Sequence, residues 1–98
     1  MNILTLVWTP FGTDKEPIIR QQILDALDTM PEVTNWRAST GAIFLVTELP
    51  ALQVSTALHN KMPNLTFAMI PTDTETAVGW TDAATWEFIR RPRRVGEP

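Results

Sequence analysis

Two stretches decide the fold: Ile3-Leu4-Thr5-Leu6-Val7-Trp8 and Ala42-Ile43-Phe44-Leu45-Val46-Thr47. Each is a short, nearly unbroken apolar run, rich in β-branched and aromatic side chains and bounded by turn residues. Such runs mark strands covered on both faces or lying in the middle of a sheet. We read them as the two central strands.

The chain around them follows in order. The first strand covers residues 2 to 9 and ends at Pro10; Phe11-Gly12-Thr13-Asp14 then turns the chain. A helix begins between Asp14 and Pro17. Either Thr13 and Glu16 form a capping box, or Pro17 occupies the first turn after a later cap. Ile19, Ile23, Leu27 and Met30 recur at helical spacing as the buried stripe, with Leu24 and Ala26 beside it. Arg20, Gln21, Asp25 and Asp28 fall on the wet side, and Pro31 ends the helix. Asn35-Trp36-Arg37-Ala38-Ser39 alternates as an exposed edge strand does. With the turn at Thr40-Gly41, it makes a hairpin across residues 33 to 47. A second helix opens at Thr47-Glu48-Leu49-Pro50, with Thr47 as N-cap and Pro50 in the first turn. Its core face is Ala51, Val54 or Ser55, Leu58 and Met62, and Pro63-Asn64 stops it. Residues 65 to 70 form a fourth strand, ended by Pro71.

This order, β-α-β-β-α-β, is the split βαβ, or ferredoxin-like, arrangement of an α+β sandwich with an antiparallel sheet. In that arrangement strands 1 and 3 are central, and the two continuous apolar runs are strands 1 and 3. Beyond it, Thr76 to Trp80 reads as a short fifth strand. Thr81 or Asp82 caps a short helix through Trp86, Ile89 and Arg90, ended by Pro92. Residues 1 to 91 make one domain with this C-terminal extension, and 92 to 98 read as a disordered tail.

Ninety-eight residues suffice for one domain. A chain of this size buries roughly 60–70% of its extended surface, enough for a core without staples. The absence of cysteine excludes disulfides, thiolate zinc sites and thiol catalysis, and is compatible with a cytoplasmic location. The N-terminal run has no Lys or Arg before it, so it does not read as a signal peptide, and no apolar stretch is long enough to span a bilayer. The net charge of -3 is unevenly placed. Residues 1 to 89 carry four basic groups (Lys15, Arg20, Arg37, Lys61) against ten acidic ones, whereas Arg90, Arg91, Arg93 and Arg94 make a basic tail.

Few side chains point to chemistry. His59 stands alone, with no carboxylate at helical spacing, and reads as a surface or half-buried residue. Asp25, Asp28 and Glu32 read as a solvated face. No glycine-rich phosphate loop and no nucleophile-base pattern is present. No cofactor is expected. Four tryptophans remain. Trp8 reads as core. Trp80 and Trp86 read either as pinning the last helix to the body or, with Trp36, as candidates for a dimer or partner interface, because Trp is enriched at interface hot spots. Arg90, Arg91, Arg93 and Arg94 read either as phosphate contacts or as a helix-end charge complement followed by a solvated tail.

The opening strand, the hairpin from Ser39 to Val46, the second helix, the fourth strand, and Gly79-Trp80 followed by Trp86-Glu87-Phe88-Ile89 together resemble the small ferredoxin-like proteins related to the CRISPR-associated adaptation subunit. The resemblance covers most of the chain. It implies a homodimer in which the segment after the fourth strand helps to clasp the partner. Nuclease members carry an aspartate at the end of the first strand, where two copies hold a divalent cation that activates water. The matching position here is Thr9, and the nearest acid is Asp14. A threonine does not replace a carboxylate as a hard-cation ligand, so no enzymatic activity is expected. The expected function is a non-catalytic homodimeric module that binds a protein partner, in the manner of a phage- or defence-related inhibitor of a nucleic-acid-handling protein. The alternatives are a nucleic-acid-binding dimer acting through the arginine tail and, last, a divergent nuclease using Asp14.

Overall fold

The computed structural model describes residues 1–39 and 41–96. They form seven elements: β1 (Asn2–Thr9), α1 (Glu16–Asp28), β2 (Asn35–Ala38), β3 (Ile43–Thr47), α2 (Ala51–Lys61), β4 (Thr66–Thr72) and α3 (Ala83–Arg90). The four strands make one sheet in the order β2-β3-β1-β4, and each neighbouring pair is antiparallel. This small α+β architecture is compatible with a ferredoxin-like arrangement. The two apolar runs do lie at the centre of the sheet.

The register sorts side chains onto two faces. Leu6 stands opposite Ile43 on one side and Met69 on the other, and Leu4 stands opposite Leu45. These residues, with Trp8, pack against Ile23 and Leu27 of α1 and Val54 and Leu58 of α2 in the main core. The opposite face carries Ile3 paired with Val46 and Thr5 paired with Phe44. There Phe88 of α3 closes a second, smaller core with Ile3, Val46 and Phe44. Helices therefore cover both faces of β3, which is why its apolar run is unbroken. The second cover is partial: Ala68 and Ile70 of β4 share the α3 face by register and stay exposed.

Helix ends follow local chemistry, and several differ from expectation. Pro17 lies in the first turn of α1, and Lys15 takes the cap position without a side-chain hydrogen bond, so no capping box forms. α1 stops at Asp28, before Pro31, because the backbone N–H and the hydroxyl of Thr29 both donate to the Ala26 carbonyl. Thr47 does not cap α2. Its hydroxyl donates to the Glu32 carbonyl and accepts from the Leu49 N–H, while Pro50 takes the cap position instead of a first-turn position. Thr76 to Trp80 forms no strand. The Asp73 carboxylate accepts the Glu75 and Thr76 N–H groups, and the Asp73 carbonyl accepts the Ala77 N–H. The chain thus turns away from β4 and runs irregularly to Asp82. The segment after α3 is anchored: the Asn35 Nδ2 donates to the Arg93 carbonyl and the Val95 N–H to the Thr34 carbonyl. Residues 97 and 98 of the expected tail lie outside the described residues. Among the described residues, no helix is long and apolar enough to cross a membrane.

Candidate functional site

α3 is held on the sheet by three buried side chains, Thr85, Phe88 and Ile89, on one face of its two turns. Trp86 is left half-buried at the rim, four residues before Arg90. That helical spacing brings the two together: the Arg90 guanidinium carbon lies 4.9 Å from the centroid of the Trp86 ring. A Cβ built on Gly79 would stand 3.9 Å from the same ring, so the preceding loop lies against it. The next residue, Trp80, is fully exposed, and Val78 is 92% exposed. The exposed Val78 and Trp80 thus flank the glycine that lies against Trp86, and Trp86 carries Arg90 over its ring.

Arg37 reaches from β2 to fix α3 to the sheet. Its Nε donates to the Thr85 hydroxyl at 2.8 Å and its Nη2 to the Asp82 carboxylate at 2.9 Å. Asp82 in turn accepts from the Thr85 hydroxyl. The Thr85 hydrogen bond, aided by Arg37, holds the Asp82 carboxyl below its ordinary value of 3.8, against a smaller opposing effect of burial. A depressed carboxyl stabilises the fold above its unfolded value, and that stabilisation disappears as the pH falls through the folded value. Acidification below pH 4 is therefore expected to loosen α3 before the sheet melts. Trp86 emission should shift to the red before the sheet's far-UV signal changes. Asp82→Asn should shrink that early step; a step of unchanged size would show that Asp82 is not its source.

The other sequence candidates disperse. Trp36 lies on the α1 and α2 face, packed against the main core, with its indole N–H donating to Asp28 at 2.8 Å. It is thus separated by the sheet from Trp80 and Trp86. Arg91 and Arg93 both approach Glu87, at 3.2 and 3.7 Å, and Arg94 makes a two-pronged contact with Glu48 at 2.9 and 2.8 Å. These pairs are exposed, and each contributes roughly 0–1 kcal/mol. They place a carboxylate beside each of the three arginines and so lower the field that the tail offers to phosphate. The pairing with Glu48 joins residues 46 apart in sequence and has no local signal. The stacking of Arg90 on Trp86 does have one, its four-residue spacing.

The end of β1 carries no comparable cluster. Thr9 is exposed at the mouth of a groove of about 610 Å³ between α1 and the end of α2, with Asp25 and Lys61 on its rim. Asp14 is exposed in the turn between β1 and α1, and His59 is exposed on α2. Among the described residues, no three His, Cys, Asp or Glu side chains gather as a metal site would need. Trp8 is buried as expected, its ring meeting Phe11 edge-on at 5.9 Å and lying 5.7 Å from the Arg20 guanidinium carbon. Its indole N–H has no hydrogen-bond partner among the described residues. Compared with protein families, with curated proteins and with solved structures, the chain matches none.

Proposed function

We propose that the protein is a non-catalytic, homodimeric binding module built on a ferredoxin-like frame, and that it acts by docking on a protein partner. One observation carries this reading: Trp80 is fully exposed, next in sequence to the glycine that lies against the Trp86–Arg90 stack, on a helix that Arg37 fixes to the sheet. Trp and Arg are the side chains most enriched among interface hot spots, and a fully exposed Trp gains most when a partner covers it. The excess of carboxylates over residues 1 to 89 favours a partner with a basic surface, as nucleic-acid-handling proteins have. Inhibition of such a protein, in a phage or defence setting, fits that chemistry. The likeness to relatives of the CRISPR-associated adaptation subunit supports the dimer, and Thr9 in place of a carboxylate supports the non-catalytic role. The nucleic-acid reading is the weaker one, since Glu48 and Glu87 already face Arg91, Arg93 and Arg94.

Affinity capture from nuclease-treated lysate of the native host tests the reading, comparing the wild-type chain with Trp80→Ala. The same captured protein should be retained by the wild type and reduced at least tenfold by the substitution, since a hot-spot truncation costs about 2 kcal/mol or more. Retention that disappears with nuclease treatment would move the assignment to nucleic acid. Equal capture by both chains would remove Trp80 from the interface.

A further inference from the structure

We propose that two copies join edge to edge through β4. Thr66–Thr72 of one copy pairs antiparallel with the same strand of the other, with Met69 on the twofold axis. This rests on the homodimer reading above and names its interface.

The sheet has two edges, and they are built differently. β2 is only four residues long and carries Arg37. The segment from Arg93 to Val95 runs beside its start, held by the Asn35 side chain and the Thr34 carbonyl at 3.1 and 3.3 Å. Shortness, charge and a covering segment are the devices that keep an edge strand from pairing with another chain. β4 has none of them. It is seven residues long, no charged side chain occurs from Met62 to Thr72, and its single proline, Pro71, is next to its end. The chain after Thr72 turns away at Asp73 and forms no strand.

Charge selects the occupant. An uncharged edge offers nothing to a basic partner, which is drawn to the carboxylates elsewhere on the molecule. Two acidic copies repel wherever carboxylates face each other, and a twofold contact at β4 brings none opposite another. The strand is also complementary to itself. With Met69 on the axis, Ala68 stands opposite Ile70 and Thr66 opposite Thr72 on the α3 face, while Phe67 meets Pro71 on the other. Small against large and Thr against Thr are favourable cross-strand pairs. Ala68 and Ile70 are exposed in the single chain, and this pairing brings them together.

The register makes the test specific. Sedimentation equilibrium should find the wild type at twice the chain mass at micromolar concentration. Ala68→Lys and Ile70→Glu, both at exposed positions, should each raise the dimer dissociation constant about tenfold or more. The double variant sets a lysine opposite a glutamate twice across the axis, so its dissociation constant should return to within a few-fold of wild type. Far-UV circular dichroism should show each variant folded. A dimer untouched by the single substitutions, or a double variant no better than either single one, overturns the β4 pairing and leaves the homodimer standing. The latter result would arise if Thr76 to Trp80 of the second copy took the edge. A wild type that is monomeric overturns both.

Discussion

Leu6→Ala is expected to destabilise the fold by about 2–5 kcal/mol, from lost burial together with the cavity left behind. Leu6 is fully buried at the middle of β1, between Ile43 and Met69 on its neighbours and against the helix layer. A domain of this size has a total stability of about 5–15 kcal/mol, so in the middle of that range the substitution removes roughly a fifth to a half of it. The melting temperature should fall by roughly 8–40 °C, since each kcal/mol shifts it by about 4–8 °C at this length. Val7→Ala is the control. Val7 points to the other face, opposite Ala68, where it is only half-buried. Measured by urea denaturation at dilution, Val7→Ala should cost less than half as much as Leu6→Ala. Equal costs would mean that the two faces of β1 are covered alike and that the partial cover by α3 has been misread.

That asymmetry explains what the sequence reveals and what it hides. The runs from Ile3 to Trp8 and from Ala42 to Thr47 identify the central strands because both are covered on two faces at their overlapping ends. Leu4 and Leu45 meet α1 and α2, while Ile3 and Val46 meet Phe88. Period and composition report burial, and burial here coincides with position in the sheet. Pairing is another matter. Thr76 to Trp80 has the composition of a strand, but a strand needs a free edge in reach, and the Asp73 turn carries this segment away from its own. Thr47 has the chemistry of an N-cap, yet its hydroxyl donates to the Glu32 carbonyl, brought near by the hairpin, and accepts the Leu49 N–H, while the helix starts only after Pro50. The same limit applies to the site. Trp86 and Arg90 are readable as neighbours from helical spacing. The contacts of Trp36 with Asp28, of Arg37 with Thr85 and of Arg94 with Glu48 depend on how separate elements pack, and no local pattern encodes them.

Phe88→Ala is expected to release α3 from the sheet. An eight-residue helix has no stability of its own in water, so α3 persists only through what holds it down. Phe88 is the α3 side chain in the second core, 9% exposed against Ile3, Val46 and Phe44. Truncating a buried Phe costs about 3–5 kcal/mol. Ile89 and Thr85 remain buried in α3; the other tethers are the Arg37 contacts with Thr85 and Asp82 and the hydrogen bonds at Arg93 and Val95. These are surface and half-buried interactions, each weak beside the burial of Phe88, and they must also offset the entropy of ordering the loop from Asp73 to Asp82. Hydrogen exchange should therefore show α3 amides losing protection while Leu4, Leu6 and Leu45 keep theirs. The main core on the other face of the sheet does not involve Phe88, so the melting temperature should fall less than for Leu6→Ala. The functional consequence is sharper than the thermodynamic one. Trp80, Trp86 and Arg90 are untouched by this substitution, yet the loop lies against the Trp86–Arg90 stack only while α3 is docked. Partner capture should therefore drop as far as it does for Trp80→Ala. If α3 amides lose protection while capture is unchanged, the binding surface does not depend on the docked helix and lies elsewhere on the chain.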